Sequence, residues 1–75
     1  MPTLVRLAGG KIAMYAVDHG EPHFHVEAPG GRCSVSIDRL VVMVGSVKPA
    51  VLRQALTWAI ENQDLLRARW KELNP

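Results

Sequence analysis

Three histidines lie within seven residues of one another, in a segment that also carries carboxylates. The segment reads Asp18-His19-Gly20-Glu21-Pro22-His23-Phe24-His25. If residues 23–28 form a strand, His23 and His25 lie on one face, about 7 Å apart along the strand. Imidazole and carboxylate are ligands for zinc, nickel and iron, and they are also the usual acid–base pair near neutral pH. The segment therefore predicts either a divalent transition-metal site or a metal-free acid–base site.

The neighbours of the histidines follow from the register of the next hairpin. In segments 23–28 and 32–37 every second residue is apolar, which predicts two strands with one buried face each. A two-residue type I′ turn at Gly30-Gly31 brings both apolar sets to one face. The same register places His25 opposite Ser36 and His23 opposite Asp38. The predicted catalytic residues are His23, His25 and Asp38, and the predicted metal ligands are His19, His23, His25 and Asp18.

Two hypotheses that assign no catalytic or metal-binding role also fit these residues. In the first, His19 and His23 hydrogen-bond to loop carbonyls and to Asp38, and so only hold the hairpin together. In the second, the histidines are incidental surface composition. Both stand beside the functional hypothesis, within which metal binding and metal-free acid–base chemistry are equally favoured.

The elements that must position these residues are short strands followed by helix. Strand alternation marks segments of about 11–17, 23–28, 32–37 and 40–44, and residues 3–8 add a weaker strand pattern. From residue 48 to residue 73 the period becomes helical, in one kinked helix or in two helices broken near Asn62-Gln63-Asp64. Strands first and helix last predict an α+β fold, an antiparallel meander of three to four strands with one face covered by the C-terminal helix.

The same alternation assigns faces to the flanking segments. It predicts a core that includes Ile12, Met14 and Ala16 from one segment and Leu40, Val42 and Val44 from another. Tyr15 then falls opposite His25. Val41 and Met43 are left on the histidine face, where they predict a small apolar interaction patch.

Length and composition exclude several classes of protein. A chain of 75 residues predicts a single domain spanning residues 1–75, and one cysteine excludes an internal disulfide and a four-cysteine zinc site. No apolar run approaches about 20 residues, so we expect no membrane partner. The N-terminus lacks the apolar core of a signal peptide, which predicts a cytoplasmic location. A net charge of +2 permits nucleic-acid binding but indicates it only weakly.

The sequence resembles a family of small bacterial proteins, domain of unknown function 4160, over essentially the whole chain. The matching segments are Met1-Pro2-Thr3, Lys11-Ile12-Ala13-Met14-Tyr15, Asp18 to Val26, Ala55-Leu56 with Trp58, and Asp64-Leu65-Leu66 with Trp70. The resemblance implies a bacterial cytoplasmic protein, often encoded beside another small protein. It also implies that the two proteins form a toxin–antitoxin-like pair, a suggestion that rests on association rather than on chemistry.

Three functions are therefore open, and whether the chain is an enzyme is undecided. The first is an interaction module of a toxin–antitoxin-like two-protein system, with a small partner protein or a second copy of the chain. The second is a small hydrolase, in particular a nuclease, in which Lys11 or Arg32 stabilises phosphate charge. The third is a transition-metal-binding protein. Thermal melting with added zinc or nickel separates the third function from the others, because a bound metal stabilises the folded state.

Overall fold

A five-stranded antiparallel sheet followed by two helices forms the chain, in a computed structural model that describes residues 3–75. In chain order the elements are β1 (Thr3–Leu7), β2 (Gly10–Ala13), β3 (His23–Ala28), β4 (Gly31–Ser36), β5 (Val42–Ser46), α1 (Pro49–Glu61) and α2 (Gln63–Leu73). The strands neighbour one another in sequence order, as a meander. The predicted α+β fold is confirmed, but the sheet has five strands because the weak pattern at the N-terminus is a strand as well.

The core lies between one sheet face and α1. Alternate residues of β2, β3 and β4 point to this face, and every fourth residue of α1 meets them, beginning at Val51. The small side chains of Ala55 and Ala59 let the helix approach the strands closely. Phe24 is fully buried between them. The buried cluster consists of Ile12, Met14, Phe24, Val26, Cys33, Val35, Ile37, Val51, Ala55, Ala59 and Leu66.

The second helix closes one end of the sheet instead of extending the first. The chain breaks at Asn62, whose side chain donates to the Trp58 carbonyl (2.8 Å) and so ends α1. At the start of α2, Gln63 donates to the Ile37 carbonyl (2.8 Å), and near its end the Val17 amide donates to the Leu73 carbonyl (3.3 Å). Helix α2 therefore runs from the end of β4 to the loop between β2 and β3. No helix within residues 3–75 is both long and apolar enough to cross a bilayer.

The predicted turn at Gly30-Gly31 is wrong by one residue. Ala28 pairs with Gly31, so the two turn residues are Pro29 and Gly30, and Gly30 has φ +80°. Proline fixes φ near −65°, which excludes a type I′ turn, whereas proline followed by a glycine with positive φ is typical of a type II turn. The pairing moves by two residues, so each side chain keeps its predicted face but changes its partner. His23 lies opposite Ser36, and His25 lies opposite Ser34.

The predicted strand over residues 11–17 is also too long. It ends at Ala13, which pairs with His25 in the position predicted for Tyr15. Ala16 is exposed and not part of the core. The segment after Ala13, residues 14–22, leaves the sheet as a loop and folds over the face opposite α1. We call it the covering loop.

The last strand is exposed along its whole length, although Leu40, Val42 and Val44 are predicted in the core. Leu40 adopts φ +55° and is only half-buried, and β5 begins two residues later. A bulge between Ser34 and Val35 then shifts the pairing of β5 with β4. Helix α1 packs against β1, β2 and β3, so neither face of β5 is covered by it. The exposed apolar side chains here are Val41, Val42, Met43 and Val44.

Candidate metal centre

The covering loop brings Asp18 over the two histidines of β3. Asp18 Oδ2 lies 3.0 Å from His23 Nε2 and 3.2 Å from His25 Nε2. One ligand atom from each residue lies within 4.8 Å of the others. We call these three residues the Asp–His cluster. Within residues 3–75 they are the group of histidines and carboxylates that converges closely enough to hold one metal ion.

Aromatic rings enclose the cluster. The His23 ring packs against Trp70 of α2 and against His25, with ring centroids 5.1 Å apart in both pairs. The Tyr15 ring meets His25 edge to face at 5.0 Å. As a result the side chains of His23 and His25 are only 8% and 14% exposed, whereas that of Asp18 is 28% exposed. The cluster is dry on the imidazole side and open to solvent at the carboxylate.

The hydrogen bonds of His23 create a demand for positive charge in the cluster. His23 Nδ1 lies 2.8 Å from the Glu21 carbonyl, which can only accept, so Nδ1 carries a proton. In a neutral imidazole the other nitrogen, Nε2, then holds a lone pair, and that lone pair faces the Asp18 carboxylate. Two acceptors 3.0 Å apart repel each other unless a cation lies between them. A second proton on His23 or a metal ion at Nε2 satisfies this geometry.

The position of Asp18 depends on the end of α2. The Asp18 amide donates to Asn74 Oδ1 (2.6 Å), and Val17, with φ +56°, turns the chain just before it. Desolvation raises the pKa of the Asp18 carboxyl. Hydrogen bonds from the His19 amide and from His25, together with the charges of the two imidazoles, lower this pKa by more than desolvation raises it. The net pKa lies below the ordinary value for aspartate. Asp18 is therefore ionised, as a metal ligand must be.

Glu21 anchors the loop carbonyl that accepts from His23. Its carboxylate receives two hydrogen bonds from Arg39, at 2.8 and 2.9 Å, and one from the Ser36 hydroxyl at 2.5 Å. These contacts, Arg39 first, lower the pKa of Glu21 to about 2. Ser36 is fully buried, so this bond also satisfies its hydroxyl. The loop is thereby fixed to β4 next to His23.

Asp38 is not part of the cluster, and its predicted place beside His23 is wrong. The two-residue change in register puts Ser36 opposite His23 instead. Asp38 lies beyond the end of β4, where Arg67 of α2 binds its carboxylate at 2.9 Å. The acid that faces the histidines comes from the covering loop, not from the next strand.

His19 lies at the rim and does not converge with the other predicted ligands. Its side chain is exposed, while its backbone amide donates to Asp18 Oδ1 at 2.9 Å. His19 and Asp18 share a surface depression of about 490 Å³ with Trp70, Leu73 and Asn74. Of the four predicted metal ligands, the structure brings together Asp18, His23 and His25.

Tyr15, Glu21 and Trp70 surround the cluster but had no predicted role in it. Tyr15 is held by a 2.5 Å hydrogen bond from its hydroxyl to Glu27, which raises the pKa of the tyrosine. Trp70 carried a signal in the sequence, since it repeats with Leu66 and Leu73 at helical spacing, but that spacing indicates burial and not the partner ring. Loop residues such as Glu21 follow no period that could place them.

Comparison with known proteins identifies the family but no activity. A family model described as "Domain of unknown function (DUF4160)" matches residues 9–71, a range that includes the whole Asp–His cluster. The match confirms the resemblance inferred from the sequence. No curated protein and no solved structure is significantly similar to the chain.

Proposed function

We propose a function for this chain, which belongs to the DUF4160 family, from the Asp–His cluster: it binds a divalent transition metal ion. The observation that carries the proposal is the convergence of Asp18 Oδ2 and the two histidine Nε2 atoms within 4.8 Å. One carboxylate and two imidazoles suit zinc and, with open positions, ferrous iron.

Two of the three distances between donor atoms in the cluster are close to those of a metal site. In a tetrahedral zinc site with bonds of about 2.0–2.1 Å, neighbouring donor atoms lie about 3.3 Å apart. The two distances from Asp18 Oδ2 are 3.0 and 3.2 Å. The bond from His23 Nδ1 to a backbone carbonyl is the contact that orients metal-binding histidines, because it leaves Nε2 free to coordinate.

Three protein donors leave a fourth position open on the side of Asp18. A water molecule or the imidazole of His19 can fill it from the adjoining depression. Catalytic zinc sites have three protein ligands and a bound water that ionises near neutral pH, so the arrangement also suits hydrolysis. Lys11 and Arg32, the predicted partners for phosphate, lie on the same sheet face as His25. Each of them pairs with Glu27, which follows His25 by two residues in β3.

Titration of the chelator-treated protein with zinc, followed by thermal melting and calorimetry, tests the proposal. We expect zinc at a hundredfold excess over its dissociation constant to stabilise the protein by about 2.7 kcal/mol. His25→Ala is expected to weaken zinc binding by at least about 100-fold, since even changes outside the ligand set cost 10–100-fold. Calorimetry also shows whether nickel binds in the same stoichiometry.

Two control variants belong to this titration. Asp64→Ala removes a fully exposed carboxylate in the first turn of α2, outside the cluster, and is expected to bind zinc as the unchanged protein does. His19→Ala removes an imidazole at the rim and is expected to have a smaller effect than His25→Ala. Zinc that fails to stabilise the unchanged protein, or that stabilises the His25→Ala variant equally, would contradict the metal site.

We also propose an interaction role in the cytoplasm, through β5 and with a second copy of the chain. Residues 40–47 contain no charge, and the exposed side chains of Val41 to Val44 lie at the start of an edge strand. The unpaired backbone groups of such a strand favour addition of another strand. A two-fold antiparallel pairing of two such strands opposes no like charges within this segment. This supports a second copy as the occupant.

Light scattering over a range of protein concentrations tests the strand pairing. We expect a dimer for the unchanged protein and a monomer for Val44→Lys, because a charge on the edge opposes pairing. Ile60→Lys is the matched control, since Ile60 on α1 is 63% exposed and Val44 is 69% exposed. A monomeric unchanged protein would leave a different small protein, as in a toxin–antitoxin-like pair, as the partner. A dimeric Val44→Lys variant would exclude β5 as the contact.

A further inference from the structure

A row of charged side chains crosses the sheet beside the Asp–His cluster. Arg6 of β1 pairs with Lys11 of β2, Lys11 with Glu27 of β3, and Glu27 with Arg32 of β4. Residues directly opposite in a sheet share a face, so all four lie on the face opposite α1, as His25 does. We call them the basic row. Three positive charges and one negative charge leave the row with a net positive charge.

The single carboxylate of the row does not neutralise it. Glu27 lies 3.8 Å from Lys11 Nζ and accepts a hydrogen bond from the Tyr15 hydroxyl. Arg6 and Arg32 are exposed, and neither forms an ion pair within residues 3–75. Arg6 also lies directly opposite Lys11, and like charges in this position repel. An anion bound between them removes that repulsion.

The row borders a depression of the size of a small ligand. Its volume is about 550 Å³, and Arg6, Lys11 and Glu27 are among the residues that line it. The other residues that line it belong to the two neighbouring turns and are Ala8, Gly9, Gly10, Ala28 and Pro29, while Arg32 lies outside it. At Gly10 an added Cβ would lie 2.5 Å from the Glu27 carbonyl oxygen, so the turn can approach β3 only because this residue is glycine.

We propose that the basic row binds the phosphate group of a phosphate-bearing ligand. The guanidinium group of Arg6 presents paired N–H donors that match phosphate oxygens, and the Lys11 ammonium opposite it adds a point charge. Arg32 lies three strands from Arg6, about 14 Å away, and adds positive charge to the same face. Glu27 opposes an anion, but its charge is directed to Lys11 and Tyr15. Glu27 lies two residues from His25, and the turns that line the depression lie on the other side of Glu27. A ligand held here therefore reaches the Asp–His cluster only by extending across the row.

The inference names a phosphate ester as the substrate class of the proposed metal site, and to that extent it rests on the proposed function. Binding of phosphate to the row needs no metal. Zinc binding and phosphate binding can therefore be measured independently, and the loss of one does not imply the loss of the other.

Calorimetry with pyrophosphate in the presence of a chelator tests the row. We expect binding that weakens with added salt, and a loss of about 10-fold or more for Arg6→Gln, because it removes charge-assisted hydrogen bonds. A smaller loss is expected for Arg32→Gln, which removes a positive charge beside the depression. Arg53→Gln is the matched control: it removes the same charge from an exposed position on α1 and is expected to bind within twofold of the unchanged protein. Equal losses in all three variants would show a net-charge effect only and would overturn the site.

A second arm identifies the source of the phosphate. A nucleoside monophosphate and a short single-stranded oligonucleotide are titrated in parallel with pyrophosphate. Tighter binding of the monophosphate supports a small phosphorylated ligand, and tighter binding of the oligonucleotide supports a nucleic-acid backbone. If none of the three binds while zinc does, the basic row is not a site and the proposed metal centre is unaffected. If pyrophosphate binds but zinc does not, the basic row is a phosphate site but does not supply the substrate of a metal centre.

Discussion

Replacing Leu66 with alanine is expected to lower the free energy of unfolding by about 2–5 kcal/mol. Leu66 is fully buried, and it is the one buried residue among the described residues of α2. Its removal leaves a cavity between α2 and the sheet, and the loss of contacts there adds to the loss of hydrophobic burial. Urea unfolding followed by circular dichroism measures the change.

The adjacent leucine gives a matched control for this prediction. Leu65 is 46% exposed, so Leu65→Ala is expected to change the free energy of unfolding by no more than about 0.5 kcal/mol. Since α2 also holds Val17 and Asp18 through Leu73 and Asn74, Leu66→Ala is further expected to weaken zinc binding. Equal effects of the two substitutions would mean that α2 does not dock across the strand ends.

Replacing Gly45 with alanine is expected to lower the free energy of unfolding by about 2–5 kcal/mol. The left-handed backbone conformation and the steric overlap of the added Cβ both contribute to this loss. Gly45 has φ +83°, and an added Cβ would lie 2.3 Å from the Arg32 carbonyl oxygen in the neighbouring strand. Backbone atoms on both sides fix this distance. The overlap is relieved only if β5 moves away from β4, which faster hydrogen exchange of the β5 amides would report.

Gly30 separates the two contributions. It has nearly the same φ, +80°, but an added Cβ would meet no atom within 4 Å. Gly30→Ala is therefore expected to cost only the strain of the left-handed backbone, about 1–2 kcal/mol. If Gly45→Ala costs no more than Gly30→Ala, β5 is not held against β4 as described.

The two proposed sites occupy one sheet face and differ in how they are built. The Asp–His cluster lies under the covering loop and beside α2, so its geometry depends on three separate segments of the chain. The basic row is made by strand pairing alone and remains open to solvent. Metal binding should therefore be sensitive to changes in α2, whereas phosphate binding should not.

The strand and helix types were predictable from the sequence because they depend on local periodicity. Alternation assigned Phe24 and Val26 to the core and His23 and His25 to the opposite face, and the structure confirms both assignments. These faces survive even though the turn was placed wrongly, because a shift of two residues preserves the side of the sheet to which each residue points.

Tertiary structure decided which residues face one another on neighbouring strands and which strands the helix covers. Pro29 selects the turn, the turn moves the register, and the register replaces Asp38 by Ser36 beside His23. Val42 and Val44 look like core residues in the sequence, but α1 packs against β1, β2 and β3 and leaves these two side chains of β5 exposed.

By itself, the sequence determined that two histidines share a strand face, that carboxylates lie close in the chain, and that strands precede a helix. Only the tertiary structure decided that Asp18 is the carboxylate that meets both imidazoles. Its position depends on a loop that follows no repeating pattern and on hydrogen bonds to the far end of the chain, at Leu73 and Asn74. Local periodicity carries no information about contacts between residues more than fifty positions apart, because such contacts form only when the whole chain packs.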